Sequence, residues 1–307
     1  MILRRLTRLG LAAGLSATGA CGGDRENVPV PPVVASSTTP VIQVPSTSNR
    51  NWKIEAGSVM LAATEQNGDS GVIILPEVTD SVMRLDSVPD AQIVRYAMDL
   101  FAREGKVGTA SVTVFRQTYG GECRGWPAAT MIRSAPTGWN IGFAAGRVQP
   151  IALDSIEGLS RADSAATTAT LARLAALLPV APDRAFRGLP FRVRGAYSFE
   201  YDSVQVLVGD IIRSINQEAS PRVEHLLLIA EKKTRGAPYT LAYFTRNAHR
   251  EELVQLTEIL AAIRTGSPPR PVLVVNLIYG EGGRFGLLER ISAGRWKMTW
   301  KSAYTGC

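Results

Sequence analysis

Two stretches of the chain, SVTVFRQTYGG (111–121) and PVLVVNLIYGE (271–281), share a pattern of apolar residues and end on Tyr-Gly. The matching positions are Val112 and Val272, Val114 and Val274, Tyr119 and Tyr279, and Gly120 and Gly280. Further along, SAPTGW and SAGRW align Trp139 with Trp296. The agreement favours an internal duplication, with chance similarity between two β-rich segments as the alternative.

The segments around these stretches predict the same order of elements in both halves. Each half begins with a hairpin, 58–77 around the turn NGDSG and 224–245 around KKTRGAP. An amphipathic helix is predicted next, over 89–105 and 249–266, because apolar residues recur there at helical spacing and a glycine follows. Three strands complete each half, so the predicted unit is ββαβββ.

The region between the halves contains another predicted helix, RADSAATTATLARLAALLP (161–179), which Pro179 ends. Its predicted apolar side consists of Leu171, Leu174, Leu177 and Leu178. The stretches FRVRGAYSFEY and SVQVLVGDIIRSI then predict strands. The expected fold class is therefore α+β, with two similar β-rich units packed as one pseudo-symmetric body.

The N-terminus, MILRRLTRLGLAAGLSATGACGGD, has the anatomy of an export signal. Three arginines precede the short apolar run 9–15, and small residues lead to Cys21. The stretch resembles the lipobox of bacterial lipoproteins, in which an aliphatic residue and two small residues precede the cysteine that receives the lipid. The resemblance implies that Cys21 is lipidated. Thr18 stands where leucine is usual, which leaves ordinary cleavage after Ala20 as the alternative.

Residues 24–50 are rich in Pro, Ser, Thr and Val and lack the periodicity of a helix or strand. Such a segment extends to on the order of 80 Å, so we expect it to tether the folded part to the membrane. The expected location is the cell envelope, facing the periplasm or the cell exterior. The predicted division of the chain is an export signal (1–20), a tether (21–51), a first α+β unit (52–150), connecting elements (151–221) and a second α+β unit (222–307).

The chain has three cysteines, an odd number for an exported protein. If Cys21 carries lipid, Cys123 and Cys307 remain in a compartment that permits disulfides. Their pairing would close a long loop, which the chain-entropy model values at about 5 kcal/mol. Two unrelated thiols, or a nucleophilic Cys123, are the alternatives.

The charge of the chain argues against a nucleic-acid partner. The net charge is +7 for the whole sequence, from 34 basic and 27 acidic residues. Removal of Arg4, Arg5 and Arg8 with the signal lowers it to about +4, which is mild and dispersed along the chain.

The sequence contains no established catalytic, metal-ligand or phosphate-binding motif, and it indicates no cofactor. His225 is expected at a strand end and His249 at a helix start, and GEGGRFG (280–286) is expected to be a hairpin loop. Two further features are explained by ordinary strands. The strand GRWKMTWKSAY is expected to bury Trp296, Met298 and Trp300, with glycan or base stacking as the alternative. Arg192 and Arg194 are expected on one half-exposed strand, with an anion or lipid-headgroup contact as the alternative.

The expected function is therefore that of a lipid-anchored, non-catalytic binding or structural module of the envelope. Its expected partners are the membrane, through the lipid, and an envelope protein or glycan. The alternative is a hydrolase that acts on envelope material through carboxylates such as Glu200 and Asp202 in SFEYDS.

Overall fold

In the computed structural model, the described residues form a barrel, two open sheets and one α-helix. The structure describes residues 60–63, 68–74, 97–116, 128–132, 135–179, 183–217, 220–234 and 236–306. Cys21, Cys123 and Cys307 lie outside these residues, as do the signal and the tether. Within the described ranges, no helix has the length and apolar character needed to cross a membrane.

Six strands close into a barrel in the order β1-β2-β5-β4-β3-β6. Their bounds are β1 Met60–Ala63, β2 Ser70–Ile73, β3 Ala97–Ala102, β4 Gly105–Arg116, β5 Ala128–Met131 and β6 Ile141–Ala144. All neighbours pair antiparallel. Large apolar side chains such as Phe101 and Phe143, whose rings meet edge to face at 5.6 Å, are fully buried in its core.

Two antiparallel sheets, called here the middle sheet and the outer sheet, account for most of the remaining chain. The middle sheet has the order β16-β15-β14-β13-β7 and consists of β7 Gln149–Ile151, β13 Leu256–Thr265, β14 Arg270–Tyr279, β15 Gly282–Ser292 and β16 Arg295–Lys301, with β17 Thr305–Gly306 beside β15. The outer sheet has the order β12-β11-β10-β9-β8 and consists of β8 Asp154–Ser155, β9 Arg192–Tyr201, β10 Val204–Ile215, β11 Arg222–Lys232 and β12 Thr240–Arg250. Among the described residues, short 3-10 helices lie at Ile156–Gly158, Arg184–Phe186 and Glu251–Leu253.

The middle sheet is buried on both faces. On β14, Val272 and Val274 pack into the barrel core, while Leu273 and Val275 pack against the outer sheet. Because successive side chains of a strand point to opposite faces, burial of both faces requires a continuous apolar run. The sequence PVLVVNLI supplies that run.

The outer sheet separates the middle sheet from the helix α1 (Arg161–Ala176). On β11, Leu227 and Ile229 face the middle sheet, whereas Leu226 and Leu228 face α1. The layers therefore follow one another as barrel, middle sheet, outer sheet and helix, with an apolar core between each neighbouring pair.

The predicted helix over 161–179 is confirmed as α1. Ser160 caps it by accepting a hydrogen bond from the backbone N–H of Asp163 at 3.2 Å. Leu171 and Leu174 are buried against the outer sheet, as predicted, but Leu177 is 76% exposed just beyond the end of the helix. Leu178, which also follows the helix, is buried as predicted, so the predicted apolar side was wrong at Leu177.

The hairpins predicted from turn chemistry are confirmed. Strands β1 and β2 pair around NGDSG, β11 pairs with β12, and β14 pairs with β15 across the glycine-rich loop. The strands predicted over 191–201 and 203–215 are β9 and β10.

The predicted α+β fold class is wrong, because the described chain is mainly β with α1 as its one α-helix. The helix predicted over 249–266 is a 3-10 turn followed by β13, and the described end of the helix predicted over 89–105 is β3. In β13, Ile259 and Ala262 face the outer sheet, while Leu260 and Ile263 face the barrel core. A strand buried on both sides, with a register shift between Ile259 and Ala261, places apolar residues at spacings that imitate a helix.

The proposed duplication into two ββαβββ units is also wrong. Described strands from the first half close into a barrel, whereas β11 and β12 join the outer sheet and β13 to β16 form the middle sheet. The two aligned tryptophans occupy different cores: Trp139 donates to the carbonyl of Gly68 in the barrel, and Trp296 donates to Glu231 between the sheets. Of the aligned valines, Val114 is 40% exposed whereas Val274 is fully buried, so the shared pattern does not reflect a shared environment.

Candidate functional site

A row of polar side chains crosses one end of the outer sheet on the face that meets the middle sheet. The row consists of Arg194 on β9, Asp210 on β10, His225 on β11 and Asn247 on β12. Asn247 is the direct β12 partner of His225, so the two side chains share a face. On β11, the apolar core between the two sheets ends at Leu227, and the row of polar side chains lies beyond it.

Asp210 and His225 form a buried hydrogen-bonded pair. The distance between His225 Nε2 and Asp210 Oδ1 is 2.8 Å, and His225 has no exposed surface. An ionised carboxylate only accepts hydrogen bonds, so Nε2 carries the proton and donates. The other ring nitrogen, Nδ1, has no hydrogen-bond partner within the described part of the chain. The imidazole therefore fixes one oxygen of the Asp210 carboxylate and leaves Oδ2 for other contacts.

A cavity of about 300 Å³, called here the interface cavity, opens beside this pair between the two sheets. Its polar lining residues are Arg103, Arg194, Tyr197, Asp210, Thr257 and Glu258. A smaller cavity of about 100 Å³ lies over β11 and β12, and Thr257 lines both cavities. Thr257 is 2% exposed, so its side chain is accessible only from within the interface.

Arg103 is committed to holding the rim of the interface cavity together. Its Nε donates to the carbonyl of Ile259 at 2.7 Å, and its terminal nitrogen donates to Glu258 Oε1 at 2.6 Å. The guanidinium also lies 5.7 Å from the ring centroid of Tyr197. Arg103 and Glu258 therefore form an ion pair that offsets the charge of both side chains.

Arg194, Tyr197 and Thr257 keep hydrogen-bonding capacity. Arg194 approaches Asp210 Oδ2 at 3.9 Å, which is an ion pair but too long for a hydrogen bond. The hydroxyls of Tyr197 and Thr257 make no hydrogen bond to any described residue. Burial raises the pKa of Tyr197 above its ordinary value, so its phenol stays protonated at neutral pH and is able to donate.

Glu231 is a buried charge that helps to hold the outer sheet to the middle sheet. Glu231 on the outer sheet accepts two hydrogen bonds from Arg290, one from the backbone N–H of Gly294 and one from Trp296, all on the middle-sheet side. Burial acts to raise the pKa of Glu231, but these donors outweigh it and hold the pKa below the usual value. On the opposite face, Arg213 pairs with the buried Glu224.

The carboxylates considered for a hydrolase lie away from the interface cavity. Glu200 is exposed, and Asp202 forms the β9–β10 turn with Ser203, where both have positive φ values of 47° and 63°. Two consecutive left-handed residues are the geometry of a tight hairpin turn, which favours Asp at this position. His249 is also exposed, at the end of β12, and its Nδ1 accepts from the backbone N–H of Arg250 at 2.8 Å. It was predicted at a helix start, which is wrong because that segment is a strand followed by a 3-10 turn.

The aromatic strand at 294–304 is buried as expected, although its aromatic residues do not share one face. Trp296 packs between the two sheets and Trp300 packs into the barrel core. A register shift between Leu287 and Leu288 lets Trp300 pair with Leu287 while Met298 pairs with Leu288, which reverses the face.

Sequence reasoning missed Asp210, Tyr197 and Thr257 as site residues and gave His225 only a strand-end role. The available signal was Asp210 inside the apolar run LVGDII and His225 at the start of the apolar run in EHLLL. Arg192 and Arg194 were predicted together, and both are exposed, but only Arg194 lines the interface cavity.

Within the described ranges, no group of three or more His, Cys, Asp and Glu side chains is arranged to hold a metal ion. The chain was also compared with known proteins. No protein-family model, curated protein or solved structure matches it.

Proposed function

We propose that this chain is a lipid-anchored protein of the cell envelope and that its folded part is a non-catalytic binding module. The binding site is the interface cavity. The observation that carries the proposal is the hydrogen-bonding capacity that the described residues leave unused in this cavity, on the side chains of Arg194, Tyr197 and Thr257 and on Oδ2 of Asp210. Pockets for small ligands usually combine a concave shape with a few convergent polar groups.

The geometry favours binding over catalysis. His225 has no exposed surface and does not line the cavity, so it holds Asp210 in place and does not exchange protons with a bound molecule. Among the described residues, no observation favours the alternative of a hydrolase that uses Glu200 and Asp202, because both are exposed and Asp202 belongs to a turn.

Native mass spectrometry of the full-length protein, gently extracted from membranes, tests the binding function. We expect the wild-type protein to retain a small molecule that the Arg194→Leu variant loses. Arg192→Leu is the matched control, since Arg192 lies on the same strand but outside the cavity lining. Equal retention by all three proteins, or no retained molecule in any of them together with no binding from a library of small polar compounds, contradicts the proposal.

The lipid anchor rests on the N-terminal stretch, with Cys21 as the acceptor. Metabolic labelling with a fatty acid is expected to mark the wild-type protein and not a Cys21→Ala variant. Equal labelling of both proteins would show that Cys21 is not the acceptor.

A further inference from the structure

We propose that the ligand of the interface cavity is a neutral, polyhydroxylated molecule, most simply a single saccharide unit with adjacent hydroxyl groups. The inference rests on the proposed binding function and adds the chemical class of the ligand. It is carried by the kinds of hydrogen-bonding group that the cavity presents and by the balance of their charges.

The hydrogen-bonding groups that remain available in the cavity are complementary to the hydroxyl groups of a ligand. The guanidinium of Arg194 only donates, the carboxylate of Asp210 only accepts, and the hydroxyls of Tyr197 and Thr257 do both. A sugar hydroxyl donates one hydrogen bond and accepts others at the same time. Adjacent hydroxyls are therefore able to bridge a donor-only group and an acceptor-only group that lie side by side, as Arg194 and Asp210 Oδ2 do at 3.9 Å.

The charges of the cavity argue against an anion as the ligand. Asp210 stands next to Arg194 and offsets its positive charge, and Arg103 is already bound to Glu258 at 2.6 Å. An incoming phosphate or carboxylate would meet two carboxylates together with two partly neutralised cations. Like-charge contacts would cancel much of the attraction.

A zwitterion is disfavoured for a related reason. Such a ligand requires a positive and a negative subsite far enough apart to match its own charges. Here the available cation and anion are adjacent, so they interact with each other more strongly than with separated ligand charges. A neutral ligand with hydrogen-bonding groups on neighbouring atoms suits this arrangement better.

The buried Asp210–His225 pair explains how the carboxylate keeps its orientation. The hydrogen bond from His225 Nε2 occupies Oδ1 at 2.8 Å, and His225 itself is completely buried within the sheet interface. The carboxylate is thus held before the ligand arrives, which lowers the entropic cost of binding. His225 is a positioning residue in this account, since it does not reach the cavity.

The size of the cavity sets the size of the ligand. A volume of about 300 Å³ lies at the lower end of the range for small-molecule pockets. One sugar ring fits such a space. A free sugar and the terminal unit of a glycan offer the same chemistry, and the experiment below separates these two sources.

Isothermal titration calorimetry on the full-length protein, in detergent, tests the inference. The probes are D-glucose, D-galactose, N-acetyl-D-glucosamine and a disaccharide of whichever sugar binds, with inorganic phosphate and glycine as the charged comparisons. We expect at least one sugar to bind and the phosphate and glycine not to bind. Binding of the monosaccharide alone assigns a free sugar, and binding of both the monosaccharide and the disaccharide assigns a glycan end; both results support the inference.

Variants locate the binding to the interface cavity. Arg194→Leu is expected to weaken sugar binding about tenfold or more, because it removes hydrogen bonds from a charged donor. Tyr197→Phe and Thr257→Val, which each remove one hydroxyl, are expected to weaken it about three- to tenfold. Tyr197→Phe and Thr257→Val nearly preserve the side-chain volume, so the protein is expected to fold normally. Arg192→Leu is again the control and is expected to leave sugar binding unchanged.

The outcomes separate this inference from the proposed function. If phosphate or glycine binds in an Arg194-dependent manner and no sugar does, the saccharide assignment is overturned while the binding function stands. If no probe binds and the native protein retains no molecule, the binding function fails as well. Sugar binding that none of the cavity variants weakens overturns the assignment of the site.

Discussion

The clearest energetic prediction concerns Glu231, which joins the outer sheet to the middle sheet. Glu231 is 3% exposed, and its carboxylate accepts from Arg290 Nε at 2.8 Å, a second Arg290 nitrogen at 2.9 Å, Gly294 N at 2.9 Å and Trp296 Nε1 at 2.7 Å. The change Glu231→Gln removes the negative charge, leaves Arg290 without its partner and turns an amide N–H₂ toward existing donors. Loss of one partner of a buried ion pair costs about 3 to 5 kcal/mol.

We take about 3 kcal/mol for Glu231→Gln, since the amide oxygen still accepts from some of the donors. For a folded unit of this size, each kcal/mol shifts the melting temperature by about 2 to 4 °C, so Tm is expected to fall by about 6 to 12 °C. Differential scanning calorimetry measures this directly. Glu200→Gln is the matched control, because Glu200 is exposed on the neighbouring part of the same sheet, and it is expected to change Tm by less than about 2 °C.

The effect also depends on pH in a defined direction. Because the folded pKa of Glu231 lies below its reference value of 4.5, its ionised form stabilises the fold above that value. The stabilisation is lost as the pH falls through the folded pKa. The difference in Tm between the wild type and Glu231→Gln is therefore expected to be constant near neutral pH and to shrink below pH 4.5. A Tm for Glu231→Gln within about 1 °C of wild type at pH 7, or a difference that grows in acid, would refute the reasoning.

Three further predictions follow from the structure. Asp99 accepts from Gly146 N at 2.8 Å and from Thr109 at 2.9 Å and pairs with Lys106 at 2.6 Å, so Asp99→Asn is expected to destabilise the protein by about 2 kcal/mol. Urea denaturation measures this, and an unchanged urea concentration at the midpoint of unfolding would contradict it. Gly209→Ala is expected to lower the free energy of unfolding by about 2 kcal/mol, because a Cβ there would lie 2.4 Å from Leu171 Cδ2. The loss should fall below about 1 kcal/mol in a Leu171→Ala background. Gly158→Ala is the control and should leave the stability unchanged, because a Cβ there would have nothing within 4 Å. Peptide mapping without reduction is expected to find a Cys123–Cys307 disulfide in protein isolated from the envelope, and alkylation of both thiols before reduction would exclude it.

The hairpins and α1 were predictable because local chemistry determines them. The NGDSG turn, the glycine-rich loop after β14 and the cap of α1 at Ser160 each act within a few residues of sequence. These signals do not depend on what packs against the element. They therefore predicted the correct local structure.

The strand conformation of β13 was not predictable from its own sequence. The segment LTEILAAIRT has apolar residues at helical spacing, and only the presence of the barrel on one side and the outer sheet on the other makes it a strand. Tertiary burial of both faces thus overrides the local pattern. The same limit applies to the duplication, since strand order is set by long-range pairing and not by the sequence of one strand.

The candidate site was missed because its residues come from separate strands. Asp210 and His225 meet only when β10 and β11 pair with Ile212 opposite His225, and Thr257 comes from the other sheet. A polar residue inside an apolar run signals a buried polar contact. Its partner is identified only by the register and the packing of the two sheets.

The most direct test of the central claim is a ¹H–¹⁵N correlation spectrum of the full-length protein, recorded as N-acetyl-D-glucosamine or another binding sugar is added. Binding in the interface cavity predicts that the largest chemical-shift changes fall on the backbone amides of 194–197 and 256–258, with a smaller change at Asp210. Changes confined to other surfaces, such as the groove between α1 and the outer sheet that Thr167 and Tyr239 line, would contradict the claim.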